Sequence, residues 1–198
     1  MFDKLVIATS NNGKYKEFVY LIENLSENFA NEIIFAPEIG KLIVEETGES
    51  YSENAILKAR AWSDKCNLPC LADDSGLEVE ALKGAPGIYS ARIINGSDYE
   101  KNLWLLNELK EQDNRKARFF AAIAISVPKE YILVCEGECK GKISDAQTGE
   151  NGFGYDPIFI PEGFENSFAE IDSHTKNLIS HRADAFKKLK IFYENAGL

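Results

Sequence analysis

The chain opens with an apolar strand, a polar turn and an amphipathic helix in direct succession. Residues 4–10 read KLVIATS, and the unbroken apolar middle of this segment is typical of a strand that is buried on both faces. After the polar residues 11–14, apolar side chains recur from Phe18 to Leu25 at the i, i+3, i+4 and i+7 spacing of an amphipathic helix. A buried strand followed at once by a helix that can cover it predicts an α/β fold.

Hydrophobic periodicity and turn residues predict further strands and helices along the rest of the chain. The sequence Ser50-Tyr51-Ser52-Glu53 has the spacing of a capping box, which predicts the start of a helix that runs to about residue 65. The other predicted elements are a strand at 32–35, a brief strand at 71–72 that ends in residues 73–76, a strand at 77–81, a helix at about 98–111, a hairpin formed by 117–127 and 131–141, and a helix at about 182–193. We find no internal repeat, and we expect a single domain over residues 1–198.

Charge and hydropathy exclude several classes of partner. The net charge of −10 argues against nucleic acid or an anionic membrane as the main partner, because those contacts need a surplus of Lys and Arg. An anionic ligand would then need either a few converging cations or a divalent metal that bridges it to carboxylates. The longest uncharged apolar stretch, 119–127, is much shorter than the roughly 20 residues of a membrane span, and the apolar run at 5–8 is too short for a signal peptide. We therefore expect a cytoplasmic protein that makes no membrane contact.

Four cysteines form two pairs with three residues between their members, Cys66 with Cys70 and Cys135 with Cys139. This spacing is compatible with zinc. Cys135 and Cys139 lie in a predicted strand, where four residues at about 3.3 Å each separate them by roughly 13 Å, too far to share a metal without a bulge. Buried reduced thiols are the simpler interpretation.

The first candidate binding segment is the turn Thr9-Ser10-Asn11-Asn12-Gly13-Lys14, between the opening strand and its helix. Free backbone N–H groups and the positive end of the helix dipole favour a phosphate there. The segment is not a P-loop, because Ala8 stands where the Walker pattern has a glycine and Tyr15 follows the lysine. A polar strand-to-helix turn without a ligand is the alternative.

The second candidate is acidic. Asp73 and Asp74 follow a predicted buried strand, and only one of them can be directed into a given site because successive strand side chains point to opposite faces. Glu45 and Glu46, in another loop, could supply the second carboxylate of a magnesium site. An Asx turn or a helix cap explains Asp73-Asp74-Ser75-Gly76 about as well.

The third candidate is the aromatic loop Gly152-Phe153-Gly154-Tyr155-Asp156-Pro157. It resembles a dinucleotide fingerprint only superficially, since Pro157 stands in place of the third glycine. Because glycine neighbours let a flat ring approach closely, Phe153 or Tyr155 could stack on a base while Asp156 bonds its edge. A core aromatic in a tight loop is the alternative.

The fourth candidate is a basic stretch, Lys176 and Ser180-His181-Arg182, just before the last predicted helix. Three potential cations gather there in an acidic protein. A solvated basic start of a helix is the alternative. With two histidines in the chain and no Ser-His-Asp or Cys-His pattern, nucleophilic catalysis has little support.

Taken together and in order, these segments resemble the inosine triphosphate pyrophosphatase family, which hydrolyses dITP, ITP and XTP to the monophosphate and pyrophosphate. The resemblance spans nearly the whole chain. The residues that carry it are Ala8 to Lys14, Glu45-Glu46-Thr47-Gly48, Glu53-Asn54-Ala55, Lys58-Ala59-Arg60, Ala72 to Gly76, Gly84 to Arg92, Gly152 to Phe159 and Ile179 to Arg182. Each segment alone is weak, whereas the ordered set is highly specific.

The resemblance implies an elongated mixed β-sheet flanked by helices, two lobes with the nucleotide cleft between them, a homodimer, and Mg²⁺ as cofactor. It implies that Asp74 is the general base and a metal ligand, and that Glu45 is the second metal ligand. The substrate-binding positions that it implies are Thr9, Ser10, Asn11, Asn12, Gly13 and Lys14, then Ser75, the base-binding loop Phe153, Gly154, Tyr155 and Asp156, then Lys176, and His181 with Arg182 at the six-keto edge of the purine. The choice between Glu45 and Glu46, and between Asp73 and Asp74, depends on register alone.

The residues fit this chemistry, because attack of water on the α-phosphorus needs a base, a charge sink for pyrophosphate and fixed geometry. Two other classes stay open. One is a module that binds purine nucleotides without turnover, which would not need paired carboxylates. The other is a nucleotidyltransferase, which would need a segment for a second substrate.

Overall fold

A computed structural model describes residues 2–25 and 29–196 of the protein, so residues 1, 26–28 and 197–198 of the predicted domain lie outside the described part. Six strands follow the order β2-β1-β3-β4-β5-β6 in one sheet. The strands are β1 (Phe2–Ile7), β2 (Ala30–Phe35), β3 (Cys70–Val79), β4 (Lys116–Ser126), β5 (Ile132–Ile143) and β6 (Phe159–Pro161). The helices are α1 (Asn12–Leu25), α2 (Ala36–Ile39), α3 (Tyr51–Cys66), α4 (Asp98–Glu108), α5 (Ser173–Ile179) and α6 (His181–Ala196).

The sheet is mixed, as expected for the predicted α/β fold. β1 pairs in parallel with β2, with Leu5 opposite Ile33, and in parallel with β3, with Val6 opposite Cys70. β5 and β6 run antiparallel. The three apolar residues at the end of β1 are fully buried, as the continuous apolar run at 5–7 indicates.

The chain divides into two compact units. The first consists of Met1–Asp74, Ala121–Gly137 and Arg182–Leu198. In its core, Phe18 and Leu21 of α1 and Phe186 of α6 pack with apolar residues of β1, β3 and β4. The apolar stripe of the first predicted helix is therefore the face that covers the sheet.

The second unit consists of Ser75–Phe120 and Glu138–His181. Its core is aromatic: the Phe119 ring lies 4.6 Å from the Phe159 ring and 6.0 Å from the Phe168 ring, centroid to centroid. Leu105 of α4 and Leu109, the residue that caps the end of α4, pack into the same cluster. Phe159 and Phe168, which follow the aromatic loop at 152–157, are therefore core residues.

The largest difference from the predicted elements concerns residues 70–79. Sequence patterns predict two short strands separated by an acidic turn, whereas the structure has the single strand β3. The Asx-turn and helix-cap interpretation of residues 73–76 is therefore wrong. The physical reason is that both aspartates have cationic partners from distant elements, so they can stay in a buried strand.

The other predicted elements are present with shifted ends, and three short ones, α2, β6 and α5, were not predicted. The hairpin of β4 and β5 turns at Lys129, which has a left-handed φ of 61°, and Val127 N–H donates to the Tyr131 carbonyl at 2.9 Å. Within residues 2–25 and 29–196, none of the helices combines the length and apolar character needed to cross a membrane.

All four cysteines are free thiols. The Sγ atoms of Cys66 and Cys70 lie 3.5 Å apart, and burial raises the pKa of the Cys70 thiol. Cys135 and Cys139 both lie in β5. Across the described residues, no group of three or more His, Cys, Asp or Glu side chains is arranged to hold a metal.

Candidate active site

Two adjacent aspartates of β3 contact different sets of side chains. Asp73 contacts Lys14 and Arg182, from α1 and α6, whereas Asp74 contacts Asn54 and Lys58 of α3. Consecutive residues of a strand point to opposite faces, so this separation follows from β3 being continuous. The two carboxylates therefore have different partners.

Asp74 lies in a group that we call the Asp74 cluster, formed by Glu46, Asn54, Lys58 and Asp74. Lys58 Nζ lies 3.2 Å from Asp74 Oδ1 and 2.6 Å from Glu46 Oε1. Asn54 Nδ2 donates to Asp74 Oδ2 at 3.2 Å. Burial by itself would lower the pKa of Lys58, but the carboxylates, Asp74 first, raise it above its usual value. The Lys58 ammonium thus lies between two carboxylates.

The loop that carries Glu45 and Glu46 is attached to the start of α3. Gly48 N–H donates to Asn54 Oδ1 at 2.9 Å. A Cβ at Gly48 would lie only 2.6 Å from Glu53 Cβ, so glycine is needed for this close approach. The predicted helix cap is confirmed, since Ser50 Oγ accepts from Glu53 N at 3.2 Å. The cap therefore helps to hold the acidic loop against the helix that carries Asn54 and Lys58.

Glu45 and Glu46 differ in their surroundings. Glu46 is half-buried and bonded to Lys58, whereas Glu45 is exposed and its side chain makes no hydrogen bond or ion pair with any described residue. The two neighbours therefore differ in their contacts: Glu46 is paired with a cation, and the Glu45 side chain is exposed.

Asp73 belongs to a second group, the Asp73 network, formed by Lys14, Glu17, Asp73 and Arg182. Lys14 Nζ and Arg182 Nε each lie 3.0 Å from Asp73 Oδ2, and an Arg182 terminal nitrogen lies 3.0 Å from Glu17 Oε2. Glu17, Asp73 and Arg182 are all buried. Burial would raise the pKa of Asp73, but the charges of Lys14 and Arg182 hold it well below its usual range.

Lys14 differs from the other members of the network because its side chain is partly accessible. Burial is the main influence on this lysine and lowers its pKa, and the attraction of Asp73 opposes that shift. In the preceding turn, Asn11 Oδ1 accepts from Lys14 N–H at 3.0 Å, and Thr9 Oγ1 accepts from Asn11 N–H at 3.1 Å. The turn is therefore a helix cap, and residues 10–12 of it are exposed.

In the second unit, the glycine-rich loop at 152–156 is held by Asp156. Asp156 Oδ2 accepts from Phe153 N–H at 2.8 Å and also bonds Lys176 Nζ. Lys176 Nζ lies 4.7 Å from the centroid of the Phe153 ring. A Cβ at Gly152, where φ is +77°, would overlap Asp156 Oδ2. Asp156 is thus buried, and its carboxylate bonds the loop backbone and Lys176.

The two aromatic rings of this loop are in different environments. Tyr155 is buried, its hydroxyl donates to the Ser90 carbonyl at 3.0 Å, and burial raises its pKa. Phe153 is half-buried. Of the two rings considered for stacking on a base, Phe153 is therefore the accessible one, and Tyr155 fits the alternative of a core aromatic.

The basic stretch before the last helix is buried, and its interpretation as a solvated helix start is wrong. Lys176, His181 and Arg182 are each exposed by 5% or less. The His181 ring stacks on Phe119 with a centroid distance of 4.8 Å and an interplanar angle of 11°. Burying charged groups is costly unless they are paired, which is consistent with a functional role for these residues.

Sequence reasoning assigned no role to several residues that contact the predicted ones. They are Glu17, Asn54 and Lys58 in the first unit, and Asp98 and Asn102, which bond Gly154, in the second. Asn54 and Lys58 are four residues apart and therefore share one face of α3. This spacing, directly after a strong helix cap, was the available signal. Nothing in the sequence pattern connects Glu17 with Arg182, which is 165 positions away.

Comparison with known proteins finds close relatives along the whole chain. A model of the Ham1 family matches residues 5–192. The dITP/XTP pyrophosphatase of Deinococcus deserti is 42% identical over 194 residues, which cover 97% of this chain and 90% of the relative. The solved structure of the Staphylococcus aureus Ham1 protein has a TM-score of 0.84 and 40% identity, and the match covers 98% of this chain and 99% of that chain. A Mycobacterium abscessus structure described as a nucleoside-triphosphatase, dITP/XTP pyrophosphatase, has a TM-score of 0.73 and 37% identity, with 94% and 98% covered.

Proposed function

The chain belongs to the Ham1 family, and from this membership and the Asp74 cluster we propose that it hydrolyses non-standard purine nucleoside triphosphates. The substrates are dITP, ITP and XTP, and the products are the nucleoside monophosphate and pyrophosphate. The enzyme is a hydrolase of the α–β phosphoanhydride bond that removes these nucleotides before they enter DNA or RNA. The observation that carries the proposal is a buried carboxylate, Asp74, held by an amide and a lysine beside a second acidic loop.

Asp74 is the general base in this proposal. Its oxygens accept one hydrogen bond each from Lys58 and Asn54, and a carboxylate has about four lone-pair sites in all, so it can accept from a water as well. An aspartate carboxylate placed within hydrogen-bond reach of a water can take a proton from it as the water attacks. Attack by water directly on the α-phosphorus involves no covalent intermediate.

Asp74 and Glu45 fit a magnesium site. Both present hard carboxylate oxygens, and Mg²⁺ is commonly bound by one or two carboxylates together with substrate phosphates. In the acidic loop we assign the metal to Glu45, because its side chain is exposed whereas that of Glu46 is half-buried. When bound, the ion would neutralise charge that develops on the phosphates.

Cations and backbone groups would bind the triphosphate. We assign this role to Lys14 and Lys176, to the exposed turn from Thr9 to Gly13, and to Ser75 beside Asp74. Lys14 is oriented by Asp73 and Lys176 by Asp156, so neither side chain has to be ordered when substrate arrives.

The loop from Phe153 to Asp156, with His181 and Arg182, would bind the base. Phe153 offers the ring for stacking, and His181 and Arg182 donate hydrogen bonds to the six-keto oxygen of hypoxanthine or xanthine. Arg182 is oriented by Asp73 and Glu17, and His181 by its stacking on Phe119.

We also propose that the protein acts in the cytoplasm as a homodimer without nucleic acid. The net charge of −10 supports the last point, because phosphate backbones bind basic surfaces. The homodimer is supported by the family resemblance.

The function is tested by the products formed from ITP. We expect IMP and pyrophosphate as the first products, and in water enriched in oxygen-18 we expect the label in IMP, because the α-phosphorus is attacked. Chromatography and mass spectrometry measure both. Excess chelator should abolish turnover. IDP and orthophosphate as first products, or label in pyrophosphate, would exclude the proposed reaction.

Base selectivity follows from the donors at His181 and Arg182. Adenine has an amino donor where hypoxanthine has the keto acceptor, so we expect kcat/KM for ATP to be lower than for ITP by at least about 10²-fold. The variant His181→Phe keeps a ring that can stack on Phe119 but loses the donor, and we expect it to reduce the ITP-to-ATP ratio by about 10-fold. An unchanged ratio would remove His181 from base recognition.

A further inference from the structure

We propose that Asp98 and Asn102 of α4 are positioning residues that hold the base-binding loop and thereby set the affinity for the nucleoside part of the substrate. This inference rests on the proposed function, because it assumes that the loop at 152–156 binds the base. It adds one element, the first turns of α4, for which neither the sequence motifs nor the proposed reaction has a role.

The contact is made with both polar backbone groups of Gly154. Gly154 N–H donates to Asp98 Oδ2 at 2.8 Å, and Asn102 Nδ2 donates to the Gly154 carbonyl at 3.1 Å. Gly154 has a left-handed φ of +62°, so the conformation at this residue is one that other side chains rarely adopt. Two hydrogen bonds in opposite directions fix the orientation of the peptide groups on both sides of Gly154.

The first turns of α4 are themselves held by hydrogen bonds. Ser97 and Glu100 form a complete capping box at the start of α4, with Ser97 N–H donating to Glu100 Oε2 at 2.7 Å. Asn102 is only 1% exposed, and its Nδ2 also donates to Gln147 Oε1 at 3.2 Å. Asp98 and Asn102 are four residues apart, so both lie on the same face of the capped helix.

The consequence concerns Phe153, the residue before Gly154. Its N–H is held by Asp156, and its ring lies against the Lys176 ammonium. The loop is thus held on one side of Phe153 by Asp156 and on the other side by α4. Without the α4 contacts the Phe153 ring could adopt several orientations. Binding a base would then restrict the ring, and the lost conformational entropy would weaken binding.

The expected kinetic signature is a change in KM rather than in kcat. The base is remote from the bond that breaks, so stacking stabilises the bound substrate and the transition state alike, and losing it raises KM with little effect on kcat. A ligand without a base, such as inorganic triphosphate, does not use the ring, and its binding should not change while Asp156 still holds Lys176.

The first experiment compares Asn102→Ala with Asn107→Ala. Asn107 lies on the same helix, is exposed, and its side chain makes no hydrogen bond with any described residue, so it is the matched control. For Asn102→Ala we expect KM for ITP to rise by at least about 5-fold, with kcat within about 2-fold of wild type and an unchanged inhibition constant for inorganic triphosphate. Asn107→Ala should match wild type in all three.

A second pair of variants replaces Asp98, and we expect both to fold normally because the Asp98 side chain is half exposed. Asp98→Ala should raise KM for ITP by about 3-fold or more, and Asp98→Asn should restore most of the loss, since its amide oxygen can still accept from Gly154 N–H. Parallel weakening of ITP and triphosphate in these variants, or an unchanged KM in both Asn102→Ala and Asp98→Ala, would overturn the inference. Failure of the proposed function is distinguishable, because wild-type protein would then not convert ITP to IMP and pyrophosphate.

Discussion

The Asp74→Asn variant is expected to lose at least about 10²-fold in kcat, the lower end of what removing a general base costs. Asparagine keeps the shape of the side chain and an oxygen that can accept from Lys58, but it has neither the charge nor the basicity to take a proton from water. Because Lys58 still has Glu46 as a partner, no cation is left alone, and the fold should be preserved at the cost of the hydrogen bond from Asn54 Nδ2, whose acceptor becomes an amide nitrogen. Steady-state kinetics with ITP and a thermal melt measure the two effects.

The matched control for this variant is Asp64→Asn. Asp64 is exposed on α3, the helix that carries Asn54 and Lys58, and its side chain makes no hydrogen bond or ion pair with any described residue. It should have wild-type kcat. If Asp74→Asn keeps kcat within about 10-fold of wild type while Asp73→Asn loses activity without unfolding, the general base is the other aspartate.

The second large effect is on stability, in Asp73→Asn. This substitution removes the carboxylate that lies between Lys14 and Arg182 and leaves Glu17 as the remaining anion of the Asp73 network. Breaking a buried ion pair by removing one partner typically costs about 3–5 kcal/mol. We expect a loss of that size in the free energy of unfolding, measured by urea titration with tryptophan fluorescence. A loss below about 1 kcal/mol would mean that the network is not coupled to folding.

The Asp73 network also predicts how the stability difference between wild type and Asp73→Asn depends on pH. The pKa of Asp73 is lowered in the folded protein, so its contribution is fully present above the unfolded-state pKa of about 3.9 and is lost as the pH falls toward the folded-state value. Below about pH 4, the stability difference between wild type and Asp73→Asn should shrink by about 1.4 kcal/mol per pH unit. A difference that is constant down to about pH 3 would contradict this assignment.

Local features of the fold could be predicted from the sequence because they depend on neighbouring residues. The buried strand at 5–7, the amphipathic helix after it, the Ser50 cap and the hairpin at Lys129 each depend on a period or a turn that spans a few positions. The single strand at 70–79 was not predicted, because it depends on residues that are distant in the sequence. Two adjacent aspartates are typical of a turn in sequence. Here they stay in a strand because three cations pair with them, and these cations, Lys14, Lys58 and Arg182, come from three different helices.

The sequence alone also determined the family and the segments that carry its chemistry, because those motifs are contiguous and occur in order. Only the tertiary structure decided which side chain of each segment faces which partner. It paired Asp74 with Asn54 and Lys58, Asp73 with Lys14 and Arg182, and Gly154 with Asp98 and Asn102. The pairing of buried charges and amides depends on which distant elements converge when apolar faces pack, and no local period encodes that convergence.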